Sequence, residues 1–204
     1  MAYRFALAGH RVIIGSRSAS RATETAQEIN GRLESPRATS AVNRDAVAGA
    51  DCVLLSVPWA GHTELVMDLA EDLAGKVVIT CVNPLGFDKL GAYGLPLEES
   101  AAEEAARLAP GAAVVGAFHH VAAHSLWQHD GPMAAEDVLV CGDSPEAKRV
   151  VLELAKAVTS KPGIDVGALR VARQLEPLTA VLISMNRLHK TRTGIAITGL
   201  GLSA

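Results

Sequence analysis

Serines and arginines crowd the residues that follow the first apolar run of the chain. His10-Arg-Val-Ile-Ile-Gly15 is followed by Ser16-Arg17-Ser18-Ala19-Ser20-Arg21. The apolar run ending in glycine reads as a buried strand, and the polar stretch from about Ala19 to Leu33 as the helix after it. Ligands of open parallel sheets bind beyond the carboxyl ends of the strands. At the second strand end of a dinucleotide-binding sheet an acid selects the 2′-hydroxyl of NAD, and a base accommodates the 2′-phosphate of NADP. No carboxylate stands here. Ser16 offers a hydroxyl, Arg17 a planar bidentate fork, and Arg21, four residues on along the helix start, a second cation on the same side. A 2′-phosphate site for NADP is the expectation. The bland alternative is a pair of solvated cations with Ser16 or Ser18 capping the helix.

Three later strand ends carry further polar or flat side chains. Ser56-Val-Pro58-Trp59-Ala-Gly-His62 ends a strand at a proline, and Trp59 either lines the cleft or packs while His62 starts a helix. Asn83, in Cys81-Val-Asn83-Pro84-Leu85-Gly86, is placed either to hydrogen-bond a ribose or carboxamide or to make an ordinary Asn-Pro turn. Phe118-His119-His120-Val121-Ala122-Ala123-His124 brings imidazoles next to small residues that leave a slot for a flat ring. Adjacent histidines diverge, and no Asp, Glu or Cys converges with His119, His120, His124 and His129 in a ligand spacing, so no metal site is expected. His124 and His129 read best as partly buried structural residues.

The elements that must position these residues alternate. Strands are read at His10–Gly15, Ala38–Val42, Cys52–Val57, Lys76–Val82, Ala113–Ala117 and Val138–Val140. Helices are read at Ala2–Ala8, Ala19–Leu33, Arg44–Ala48, His62–Leu73, Glu98–Leu108, Pro145–Val158 and Arg173–His189. Continuous apolar strands alternating with helices imply a mostly parallel sheet covered on both faces, a Rossmann-type α/β fold. The rhythm changes after Ala117, where the segment Phe118–Gly131 carries no clear period. A boundary near residue 130 divides a nucleotide-binding lobe, 1–130, from a smaller C-terminal α/β lobe, 131–204, that ends in a long helix. Leu175, Leu178, Val181, Leu182 and Met185 recur there at helical spacing.

Of the 204 residues only 3% are aromatic, and the formal net charge of −3 offers no basic footprint for nucleic acid. Cys52, Cys81 and Cys141 lie within or at the ends of apolar runs and read as unpaired packing thiols. With no secretory apolar region and no run long enough to span a bilayer, a cytoplasmic protein without a membrane partner is expected. The last helix and the closing Gly194-Ile-Ala-Ile-Thr-Gly-Leu-Gly-Leu run suit either a homodimer surface or packing within one lobe.

The chain resembles the NADPH:F-420 oxidoreductase family, in particular its actinobacterial type, over nearly its whole length. The segments carrying the resemblance are GHRVIIGSRSASRA, SVPWAGH, CVNPLGFDKLGAYGL, GAFHHVAA, LVCGDSPEAKRVV and QLEPLTAVLISMNRLHKTRTGIAIT. It implies reversible hydride transfer between NADPH and the deazaflavin coenzyme F-420, with the rings stacked between the lobes. By similarity, Ser16, Arg17 and Arg21 would hold the 2′-phosphate. Trp59, Asn83, Leu85 and Ala123 would line the rest of the NADP site. His119, Val121 and Ala122 would meet the deazaflavin, with His120, Thr193 and Gly194 nearby. Both cofactors bring their own reactive carbons, so no catalytic acid or base is assigned.

The start departs from the family pattern. Family members open with a strand and a glycine-rich loop that binds the pyrophosphate, whereas Met1-Ala-Tyr-Arg-Phe-Ala-Leu-Ala-Gly matches only the tail of the first helix. A start codon placed too late is the favoured explanation, a truncated paralogue with weak NADP binding the other. Either way, a chain starting at Met1 is expected to leave strand edges open. Reductases with another acceptor (a flavin, a ferric chelate or an imine) and an inactive nucleotide-binding remnant are the competing functions.

Overall fold

The structure, a computed structural model, describes residues 1–200. A short helix α1 (Ala2–Leu7) ends in a turn at Gly9, whose φ of +97° lies where glycine is at ease. Strand β1 (Val12–Ser16) leads into α2 (Ala19–Asn30), then β2 (Ala38–Val42), α3 (Asn43–Ala48) and β3 (Cys52–Leu55). A 3-10 turn at Trp59–Gly61 opens α4 (His62–Leu69), followed by β4 (Val77–Thr80). The hairpin β5 (Leu85–Phe87) and β6 (Ala92–Gly94) precedes α5 (Ala101–Leu108) and β7 (Ala113–Ala117). The chain continues through α6 (Ala123–Gln128), β8 (Leu139–Gly142), α7 (Pro145–Leu154), α8 (Lys156–Thr159), β9 (Ile164–Asp165) and α9 (Ala172–His189).

Five strands form one sheet in the order β3-β4-β7-β8-β9, parallel except for the antiparallel pair β7 and β8. Because strand residues point alternately to opposite faces, neighbouring valines and isoleucines build two separate cores. Val78 and Val114 join Leu55, Val66, Leu73 and Leu175 on one face; Ile79 and Val115 join Val140, Val151 and Val158 on the other. Residues beyond 130 thus extend the same sheet and share its cores.

Strands β1 and β2 form a separate parallel pair with Ser16 opposite Val42. Their sheet does not join that of β3, and a cavity of about 1650 Å³ lies between β1 and β3, lined by Val12, Ile14, Cys52 and Leu54, by Met1 and by Phe5 of α1.

Sequence patterning left four elements unread: β5, β6, α6 and β9. The hairpin β5/β6 lies between the strand read at Lys76–Val82 and the helix read at Glu98–Leu108, where the sequence gives no element, because its strands are short and glycine-rich; the Tyr93 ring crosses Gly86, and a Cβ on Gly94 would lie 2.6 Å from Pro177 of α9. The aperiodic region after Phe118 contains α6, and β9 is only two residues long. The helix read at Pro145–Val158 divides into α7 and α8, and that read at His62–Leu73 ends at Leu69.

Candidate functional site

At the end of β1 the serines have separate tasks. Ser18 Oγ accepts from the Arg21 backbone N–H at 3.4 Å and caps α2, while Ser16 Oγ accepts from the Ser18 N–H at 3.1 Å and faces the cavity. Arg32, Arg44, Arg107 and Arg173 are held by carboxylates, whereas Arg11, Arg149, Arg170, Arg187 and Arg192 are exposed with no ion-pair or side-chain hydrogen-bond partner among the described residues. Arg17 and Arg21 are exposed, and neither side chain has an ion-pair or hydrogen-bond partner among the described residues. Two free guanidinium groups beside a hydroxyl are a donor set that fits a phosphate monoester.

After β3, Trp59 stacks on His62 with ring centroids 5.4 Å apart and planes at 28°. His62, the first residue of α4, is fully buried; its Nδ1 lies 3.0 Å from Glu104 Oε1 of α5, which also accepts from Thr63 Oγ1 at 2.8 Å. Trp59 lines a smaller cavity of about 500 Å³ with Leu97, Glu98, Glu99, Glu104 and Arg107. His62 Nε2 is buried without a hydrogen-bond partner.

The ends of β4 and β7 meet. Phe118 adopts φ +64°, a strained value for a bulky residue, and its ring packs edge-on against Phe5 at 5.9 Å. The chain turns there, and Asn83 Nδ2 donates to the His119 carbonyl at 3.0 Å while Asn83 Oδ1 lies 3.1 Å from His119 Nδ1. Thr179 Oγ1 of α9 donates to the same carbonyl at 3.0 Å. His120 Nε2–H donates to the Leu175 carbonyl at 2.8 Å, so α9 anchors both histidines. Burial, reinforced by neighbouring His120, pushes the His119 imidazole down to about 3. Burial likewise lowers His120. His119 Nε2 is buried without a partner, over Gly116.

Val121 and Ala122 are half-buried, Ala123 is exposed at the start of α6, and Leu85 is half-buried in β5. His124 and His129, read as partly buried, are exposed instead. Thr193 donates to Asn186 Oδ1 through both its N–H, at 2.6 Å, and its hydroxyl, at 2.9 Å, and Gly194 packs against Glu136. Cys52, Cys81 and Cys141 are free thiols, each raised by burial.

Sequence reasoning missed three supports of this site: Glu104, Thr179 and Glu176. Glu176 of α9 is buried and accepts from the backbone N–H groups of Ala101 and Ala102 at 2.8 and 3.0 Å. No local pattern marks any of the three, since each bonds to a segment remote in the chain.

Among the described residues no helix is long and apolar enough to cross a membrane. A family model described as NADP oxidoreductase, coenzyme F-420-dependent, matches residues 1–84. The F-420-dependent NADP reductase of Methanocaldococcus jannaschii is 34% identical over 94% of this chain and 89% of its own length. The enzyme of that name from Methanothermobacter thermautotrophicus is 36% identical over 98% of this chain and 89% of its own length. A crystal structure of a candidate F-420-dependent NADP reductase from Arthrobacter sp. FB24 superposes with a TM-score of 0.79 at 30% identity, covering 97% of this chain and 93% of that one. By sequence over nearly its whole length and by fold, the chain belongs to the F-420-dependent NADP reductase family.

Proposed function

We propose that this protein transfers hydride reversibly between NADPH and coenzyme F-420. The observation that carries the NADP half is the pair of unpartnered guanidiniums, Arg17 and Arg21, beside Ser16 at a strand end that has no carboxylate. In this reading Trp59, Asn83, Leu85 and Ala123 line the rest of the NADP site, and His119, Val121 and Ala122 meet the deazaflavin. Residues 1–130 bind NADP and residues 131–204 close the F-420 cleft.

When bound, the two coenzymes supply the hydride donor and acceptor carbons themselves. The chain binds, orients and excludes water. His119, held by Asn83 and with its imidazole pushed down to about 3, is neutral at working pH and offers the reaction a fixed dipole rather than a proton. The buried Nε2 without a partner fits a site in which a ligand or ordered water completes its hydrogen bonding.

We place the enzyme in the cytoplasm, in keeping with three free cysteines. We also infer a homodimer: Val181, Met185 and Leu188 of α9 are exposed, as are Phe87 and Leu90 of the hairpin packed beside that helix. Incubation of the purified protein with NADPH and F-420 tests the main reading. Loss of oxidised F-420 absorbance, dependent on NADPH and not reproduced with free flavin, a ferric chelate or an imine, is the expected result; turnover of one of those acceptors and not F-420 would overturn it.

A further inference from the structure

Asn43 sits at the end of β2, next to the end of β1. The register sets Ser16 opposite Val42, so Asn43 follows directly at the strand end adjoining Ser16 and Arg17, and it lines the same cavity as both. Asparagine is among the best residues for capping a helix. Here the cap position of α3 belongs to Val42, which makes no side-chain cap bond, and Asn43 stands one residue inside the helix. Its half-buried carboxamide has no hydrogen-bond partner among the described residues. The neighbouring strand makes room for it: a Cβ on Gly15 would lie 3.2 Å from Asn43 Oδ1 and 3.2 Å from the Ala46 methyl. A side chain at position 15 would push the amide aside.

We propose that Asn43 is a specificity-determining residue that reads the adenine base of NADP. A carboxamide presents a donor and an acceptor side by side, the complement of adenine's 6-amino donor and N7 acceptor. The inference rests on the reading of Ser16 and Arg17 as the ribose-phosphate site, since a phosphate held there brings the attached adenosine to this pair of strand ends. Hypoxanthine replaces the amino donor with a carbonyl and presents two acceptors on that edge, leaving the amide oxygen without a partner.

The test is calorimetric titration of the full chain with NADPH and with its hypoxanthine analogue, without F-420 or turnover. The wild type is expected to prefer NADPH by about tenfold or more, the worth of one good bidentate amide–adenine contact. In N43A that preference should fall to about twofold, because NADPH binding weakens while the analogue is little affected. N43S, too short to make both contacts, is expected to behave the same way and serves if N43A does not fold. R17A should weaken both ligands alike and leave the preference intact. Equal loss of both ligands in N43A, or an undiminished preference, would overturn the role of Asn43 while sparing the NADP reading. A wild type that binds neither dinucleotide overturns both.

Discussion

Asn83 holds His119 at two points, donating from Nδ2 to its backbone carbonyl at 3.0 Å and meeting its Nδ1 with Oδ1 at 3.1 Å. A carbonyl only accepts, so the amide end facing it is the NH2 group, and the other end is an oxygen that also only accepts. His119 therefore carries its proton on Nδ1, and Nε2 bears the bare lone pair. Replacing Asn83 with Ala removes both contacts and leaves a buried N–H unsatisfied. Expected losses are about 2–4 kcal/mol of stability in urea denaturation, and a hydride-transfer rate reduced by about tenfold or more.

His119 and Glu176 tie stability to pH with opposite signs. The imidazole lies at about 3 in the folded chain and the ordinary value is 6.5, so between these pH values only the unfolded chain holds the proton, and stability falls on acidification. Burial raises Glu176 to about 7 from 4.5 against the pull of its two backbone N–H donors, so between these values only the folded chain holds the proton, and stability falls as pH rises. From 4.5 to 6.5 the two slopes offset one another. E176Q removes one of them. Its stability relative to wild type should grow by about 1.4 kcal/mol per pH unit from 4.5 to 7, as read from urea melts at pH 5, 6 and 7.

The free guanidiniums at the β1 end should govern the choice between dinucleotides. R17A and R21A each delete a charge-assisted contact worth roughly 1.5–3 kcal/mol, so the KM or Kd for NADPH should rise by about 10- to 150-fold while weak binding of NADH stays unchanged. Equal effects on NADPH and NADH would place these arginines elsewhere than on the 2′-phosphate.

Gly116 lies under the partner-free Nε2. A Cβ there would approach Cys141 Sγ to 2.9 Å and His119 Nε2 to 3.2 Å, in a core where both are buried. G116A is expected to cost about 1–3 kcal/mol by overpacking and to displace the His119 ring, read as a lowered Tm and a shifted His119 imidazole resonance.

Glu104 is the acceptor for two donors, His62 Nδ1–H and Thr63 Oγ1–H. E104A leaves the fully buried imidazole unpaired and should cost about 1–3 kcal/mol, whereas E104Q keeps an oxygen and costs less. Because His62 stacks on Trp59, the indole emission should shift in E104A when Trp127 is replaced by Phe to leave one reporter.

What the sequence determined by itself was local. Continuous apolar runs and capped helices marked the alternation of elements, because burial runs and capping act within a few residues. The same locality exposed Ser16, Arg17 and Arg21, since the residue after a strand is defined by the strand. The short strands of the β5/β6 hairpin escaped because Gly86 and Gly94 answer to Tyr93 and Pro177, not to a pattern along the chain. Tertiary structure alone decided how Asn83 is used: the sequence left it between a ligand contact and a turn, and folding brings it to His119, 36 residues away. It likewise paired His62 with Glu104, 42 residues on, and set Glu176 over the start of α5, 75 residues back. Such contacts follow from where the sheet carries its strand ends and how α9 crosses them, and a buried polar group takes its partner from whatever the fold brings within 3 Å.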